Sequence, residues 1–433
     1  MRIGRRGALQ VVAGAWAGGL AGATARGADK LAARDADKLA ARDADGALLA
    51  VRGATVHTMA GAAIADGVVV IRDGKVAAVG PAAQVAIPAG ARVLTAAVVT
   101  PGLVDGHTVV GLTGYLNQEQ DQDQLDPAEP VQPELRAIDS YNPRERLIEW
   151  VRGFGVTTLH TGHAPGALVS GQTMVVKTRG DSVEEAALVP VAMVAVTLGD
   201  DGRATGGEKK SPGTRSKAVA MLRGELVKTR DWLRKRDTAE ADKRPDRDLR
   251  REAFAEVLAG KLPLLVTANR STDIVSALRV AEEFGIRIVL DSAAEGYLVA
   301  DRIKAAGVPV IVHPSMRRSG AGETENASFE TAAKLRAAGI PIALQSGFEA
   351  YVPKTRVALF EAAIAAANGL STEEALAAVT SDAARILGVA DRVGSIAVGR
   401  DGDLALFDGD PFEYTTHCVA TVIDGAVVFE GPR

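Results

Sequence analysis

Cysteine is almost missing from this chain: Cys418 stands alone. A single cysteine excludes an intrachain disulfide and any zinc site built on a cysteine cluster. Aromatic residues are scarce too, at 4 % of the sequence, too few for the stacking platforms on which single-stranded nucleic acid is held. No basic excess compensates, since 50 Lys and Arg face 54 Asp and Glu for a net charge of −4. A nucleic-acid partner needs a basic footprint and is therefore not expected. Beyond residue 27 no run is long and apolar enough to cross a bilayer, so no membrane partner is expected either. What is present is a 433-residue chain, 47 % hydrophobic and built largely from small apolar residues. That suffices for one large core and a smaller one.

The first 27 residues differ from the rest. Arg2, Arg5 and Arg6 precede a glycine-diluted apolar stretch from Ala8 to Ala25, which offers Ala21-Gly22-Ala23 and Ala23-Thr24-Ala25 as small-x-small cleavage sites. This is the layout of an export signal, and the Arg5-Arg6 pair gives it a twin-arginine character. The expectation is an exported, periplasmic protein; the alternative is a basic tail. Residues 28–46 contain ADKLAARD twice in succession, a charge-balanced spacer.

Residues 47–97 and 391–433 are rich in short β runs, with Asp73-Gly74 and Asp424-Gly425 as hairpin turns. Strands at both ends need partners, which predicts one small β-sandwich domain assembled from the two termini. Residues 98–390 alternate strand and helix. The strands predicted there are Val98–His107, Gly155–His160, Thr173–Lys177, Leu188–Val196, Leu264–Asn269, Ile286–Asp291, Val308–His313 and Ile340–Gln345. The later ones are almost uniformly apolar, as in parallel strands covered on both faces. Helical stretches ending at Gly285, Gly307 and Gly339 lie between them. The fold class predicted is α/β, a (β/α)8 TIM-type barrel carrying the composite β domain. The charged segment 206–261 reads as a helical insertion with solvated faces.

The segment VVTPGLVDGHT at 98–108 resembles the opening barrel strand of the amidohydrolase superfamily. GVTTLHTG at 155–162, SGQTMVVKTRG at 170–180 and AEEFGIRIVLDSAAEGY at 281–297 resemble its imidazolonepropionase-like and Xaa-Pro-dipeptidase-like branch, and GRDGDLALFDGDPFE at 399–413 its closing strand. The resemblance spans roughly residues 48–430. It implies hydrolysis of C–N bonds in amides, cyclic amides or dipeptides, with zinc as cofactor.

The departures from that pattern fall at the chemistry. The family's His-x-His is here His107-Thr108-Val109, and strand alternation puts Val109 where the second ligand belongs. Other ligand positions fall at Thr267 or Asn269, near Ser292, and within Gln345-Ser346-Gly347. A catalytic zinc needs about three protein ligands, so no metal ligands are assigned and the cofactor is left unknown. Catalytic candidates are the strand-end residues His107, His160, His313, Asp291 and Lys177. His313 is either a base or a packed histidine, and Lys177 either a carboxylated metal bridge, as the resemblance implies, or an ion-pair partner. Substrate-binding candidates are Asn269 and Gln345, with Asp121 and Asp123 in a loop after the first strand that is either a solvated acidic loop or a source of oxygen ligands and acid–base groups.

Two readings follow. One is a hydrolase of carbon–nitrogen bonds with a remodelled, metal-poor site acting on a small molecule. The other is a pseudoenzyme that keeps its pocket for a ligand or partner. The resemblance also allows a homodimer.

Overall fold

The computed structural model describes residues 48–203, 211–316, 322–349 and 357–431. The stretches expected to be an export signal and a repeat spacer lie outside the described residues. Strand β1 (Leu49–Val56) pairs antiparallel with β2 (Ile64–Arg72) and parallel with β4 (Arg92–Pro101), and β3 (Lys75–Pro81) completes that edge. From the other end of the chain come β15 (Leu404–Phe407), β16 (Cys418–Ile423) and β17 (Ala426–Glu430). Both predicted hairpin turns form, with positive φ at Asp73 and Gly74 and at Asp424 and Gly425. The termini meet where β15 runs antiparallel to β4, Leu404 opposite Pro101 and Phe407 opposite Val98.

The sequence predicts a sandwich; the hydrogen bonding instead unites one seven-stranded sheet in the order β17-β16-β15-β4-β1-β2-β3. The reason is β4, which is paired along both edges and so bridges the two chain ends. Leu49, Val51, Val69, Ile71 and Val76 from one end share an apolar core with Leu404, Leu406 and Val422 from the other.

The middle of the chain makes two further sheets. One is β14-β13-β12-β11-β10-β7, the other β5-β6-β8-β9. Their members are β5 (Leu103–Thr108), β6 (Val156–Thr161), β7 (Val169–Gln172), β8 (Met174–Lys177), β9 (Ala187–Val189), β10 (Val194–Thr197), β11 (Leu264–Ala268), β12 (Ile288–Ser292), β13 (Val310–Val312) and β14 (Ile342–Ala343). The pairs β5–β6, β10–β11, β11–β12, β12–β13 and β13–β14 are parallel, and these strands are buried throughout.

Three predicted strands differ. Val98–His107 is broken at Gly102 into β4 and β5, which serve different sheets; a Cβ at Gly102 would overlap the Thr157 side chain. Leu188–Val196 is broken into β9 and β10 at Pro190, which has no N–H to donate to a ladder. Thr173–Lys177 forms as β8 but runs antiparallel to β6. Alternation and apolarity reveal a strand, not its direction, so this reversal was invisible beforehand.

The two sheets meet at their edges. The Gly106 N–H of β5 donates to the Leu344 carbonyl just beyond β14 over 2.9 Å, and Thr108 bridges Gly347 in parallel register. Val104, Val175, Leu265, Val289, Ile311 and Ala343, one from each of six strands, pack into one inner layer. Helices cover the outside. Ser271–Phe284 and Ala300–Ala306 both end on a left-handed glycine, Gly285 and Gly307. The charged insertion folds as the helices Arg215–Thr238 and Leu249–Leu258, anchored by Leu222, Leu226, Phe254 and Val257. Among the described residues no helix is long and apolar enough to cross a membrane.

Candidate active site

Above the inner apolar layer, alternation along each strand brings polar side chains to the same interior. Leu265 and Val289 belong to the layer, so Thr267 and Asp291, two residues on, face the same way. Asp291 is the centre of the group. Its Oδ1 lies 3.2 Å from His107 Nδ1 and accepts from Gln345 Nε2 at 2.8 Å, while its Oδ2 accepts from the Thr267 hydroxyl at 2.6 Å. Asp291 and Gln345 are fully buried, and so is His107.

Burial alone would push the Asp291 carboxyl up. His107, Thr267 and Gln345 outweigh it and hold the group below the usual carboxylate range. An ionised carboxylate only accepts, so His107 Nδ1 carries a proton, and in the neutral tautomer of that ring the lone pair is on Nε2. His107 Nε2 has no hydrogen-bond partner among the described residues; neither have Gln345 Oε1 and Asn269 Oδ1.

His160 lies beside this group, its ring 5.5 Å from that of His107. Both of its nitrogens are occupied, Nδ1 by the Gly106 carbonyl at 2.7 Å and Nε2 by the Thr173 hydroxyl at 2.7 Å. Burial, reinforced by His107, lowers its pKa to about 3, so it is neutral at any ordinary pH. Below His107, Asp105 accepts from the Ser346 N–H at 2.9 Å and from its hydroxyl at 2.5 Å. Burial raises Asp105 to about 6 against those bonds. Asp105 and Thr173 were not singled out from the sequence, although Asp105 stands two residues before His107 in β5.

The remaining candidates lie elsewhere. Lys177 is at the far end of a reversed strand: β8 sets Val175 opposite His160 and Lys177 opposite Thr158, away from the group. Its ammonium instead meets Asp401 at 2.7 Å, Asp403 at 2.9 Å and Asp424 at 2.5 Å, where the composite sheet adjoins β8. Those carboxylates outweigh the lowering effect of burial and raise its pKa, so Lys177 is an ion-pair partner. His313 bonds the Pro314 carbonyl at 3.0 Å and the Thr331 hydroxyl at 3.1 Å, the packed alternative. Asp121 and Asp123 are exposed, and their carboxylates make no hydrogen bond or ion pair among the described residues. The backbone of their loop is held by Asp123 N–H to Leu112 O and Gly114 N–H to Asp121 O.

Comparison with known proteins adds to this geometry. The family model described as "Amidohydrolase family" matches residues 299–429. The crystal structure of an amidohydrolase from Thermotoga maritima MSB8 is 30 % identical and superposes with a TM-score of 0.83, covering 88 % of this chain and 100 % of that one. The chain belongs to the amidohydrolase family. An imidazolonepropionase of Xanthomonas euvesicatoria pv. vesicatoria (strain 85-10) is 25 % identical over 373 residues, which cover 80 % of this chain and 88 % of the relative. Amidohydrolase tasK of Hapsidospora irregularis is 23 % identical over 77 % of this chain, which spans only 36 % of that longer protein.

The resemblance to the amidohydrolase superfamily implies zinc. Among the described residues no group of three or more His, Cys, Asp or Glu side chains is arranged to hold a metal ion. His160 and His313 have both nitrogens in hydrogen bonds and Lys177 is held by three carboxylates, which leaves His107 Nε2 as the one histidine nitrogen of the group with no partner.

Proposed function

We propose that this amidohydrolase-family protein hydrolyses the C–N bond of a small amide, with His107 as general base and Asp291 as the group that orients it. The two middle sheets are read as one distorted (β/α)8-type barrel, supported by the shared inner layer and by the Gly106–Leu344 hydrogen bond across the seam. Catalytic groups of such barrels stand at the C-terminal strand ends, as His107 and Asp291 do. The donors around His107 do not fit a divalent cation.

The observation that carries the reading is a bare, buried His107 Nε2 whose opposite nitrogen is locked on an ionised carboxylate. That is the arrangement a base requires. His107 Nε2 takes a proton from water as the oxygen forms its bond to the carbonyl carbon. Asp291 stabilises the imidazolium, and the proton then passes from Nε2 to the leaving nitrogen as the C–N bond breaks. Atoms balance as amide plus water giving acid plus amine. Asn269, two residues beyond Thr267, offers an amide to the substrate. The leader-like residues 1–27 support a periplasmic location.

One observation favours a binding-only reading: His107, His160 and Asp291 are completely buried. Chelator-treated full-length protein offered a panel of N-acyl amino acids and X-Pro dipeptides separates the cases. Turnover that survives metal removal and is lost in His107→Ala supports the proposal. Activity that vanishes with chelator and returns with zinc overturns the metal-free mechanism, and absence of turnover across the panel favours the pseudoenzyme.

A further inference from the structure

The geometry points to Gln345 as a positioning residue for the attacking water: its side-chain carbonyl and His107 Nε2 form a two-acceptor cradle into which one water donates both hydrogens. The chemistry rests on the function proposed above; the cradle itself does not.

The orientation of the Gln345 amide is settled by its partners. Its nitrogen donates to Asp291 Oδ1 at 2.8 Å and to the Ile311 carbonyl at 3.3 Å, and both of these oxygens only accept. The nitrogen therefore points toward them and Oε1 away. His107 Nδ1 lies 3.2 Å from that same Asp291 oxygen. One carboxylate oxygen thus anchors both an amide and an imidazole, and each keeps a second polar atom that this anchor does not use. Both acceptors are buried without a partner among the described residues.

Two neighbouring acceptors repel a third, and what suits them is a small molecule with two donors. Water is the smallest, and buried polar sites with two or more partners hold it well. With both O–H bonds directed into the cradle, the oxygen lone pairs face outward, toward an incoming carbonyl carbon. His107 then removes one proton while Gln345 retains the other hydrogen, so attack and deprotonation share one fixed geometry. Methanol has a single O–H and satisfies only one of the two acceptors.

Two measurements test this on the full chain. A crystal structure that resolves waters is expected to show one within about 3.2 Å of both His107 Nε2 and Gln345 Oε1. The near-isosteric apolar variant Gln345→Met is expected to lose it, with Gln345→Asn, which withdraws the amide, in reserve should that variant not fold. In water–methanol mixtures with a turned-over N-acyl amino acid, the ratio of methyl ester to acid should rise about fivefold in Gln345→Met, the worth of one neutral hydrogen bond. A wild-type water that touches only one of the two atoms, or none, overturns the cradle. A bridging water with an unchanged product ratio overturns the positioning role and leaves the His107 mechanism standing. If no amide is turned over, the proposed function falls, and the crystallographic result alone decides the cradle.

Discussion

Two polar clusters are buried in this protein, and they are built on opposite terms. Around Lys177 every charge is answered: Asp401, Asp403 and Asp424 surround one ammonium, and Asp401 also receives Lys75 and Arg392, the latter at 2.8 Å. Around Asp291 the carboxylate is fully answered, but His107 Nε2, Gln345 Oε1 and Asn269 Oδ1 are not. An unmet buried polar atom costs about 1–3 kcal/mol. Asp403 Oδ2 in the first cluster also lacks a hydrogen bond among the described residues but lies in an ion pair with Lys177. The open atoms around Asp291 have no ionic partner among those residues, the contrast expected between a structural joint and a candidate site.

Substitutions on each side sharpen the contrast. The largest effect is expected from His107→Gln, which removes the base: turnover of any hydrolysed amide should fall about 10²- to 10⁴-fold. Its melting temperature should stay close to wild type, and a variant that keeps full activity would remove His107 from the mechanism. Lys177→Met reverses the pattern. It strands buried carboxylates, so urea unfolding should register a loss of about 3–5 kcal/mol, with activity per folded molecule retained. If activity drops while stability holds, the two clusters have been assigned the wrong way round.

A third histidine tests the cost of burial without function. His163 is buried, and burial lowers its pKa from 6.5 to about 4 against the opposing pull of the Leu135 backbone. A depressed histidine pKa gives stability that is whole above the unfolded value and drains away as pH falls toward the folded one. Between pH 7 and 5 the wild type should therefore lose about 2 kcal/mol through this group alone, and His163→Leu should lose correspondingly less. Parallel pH slopes in the two proteins would refute it. The smallest effect is expected at the mouth loop, where Asp121→Asn with Asp123→Asn should change stability by under about 0.5 kcal/mol and turnover by less than twofold. A larger kinetic loss would bring that loop into the site.

How much of this was legible in the sequence follows the range of the signal. The hairpin turns at Asp73-Gly74 and Asp424-Gly425, the buried parallel strands and the glycine-terminated helices are written locally, and they form where expected. Alternation likewise assigns a face without knowledge of partners, and it places Thr267 and Asp291 on the side of Leu265 and Val289. Strand direction was not readable, and that misplaced Lys177: a residue at the end of a run looks like a mouth residue until the run is found to go the other way. The grouping of His107, Asp291, Thr267 and Gln345 needed three strands and the segment after β14 to converge. Sequence named His107, Asp291 and Gln345 individually as candidates but could not show that His107 and Gln345 meet the same oxygen of Asp291.

The pairing of β4 with β15 has a consequence for synthesis. Val98 is hydrogen-bonded across the sheet from Phe407, so the N-terminal strands must wait for nearly the whole chain. At about 5–20 residues per second, an intervening length of roughly 300 residues leaves the β4 edge bare for about 15–60 seconds. During that interval it is a template for any passing strand. This protein is therefore at its most vulnerable on the ribosome, and a chaperone that shields β4 should matter more to its yield than any gain in the stability of the finished fold.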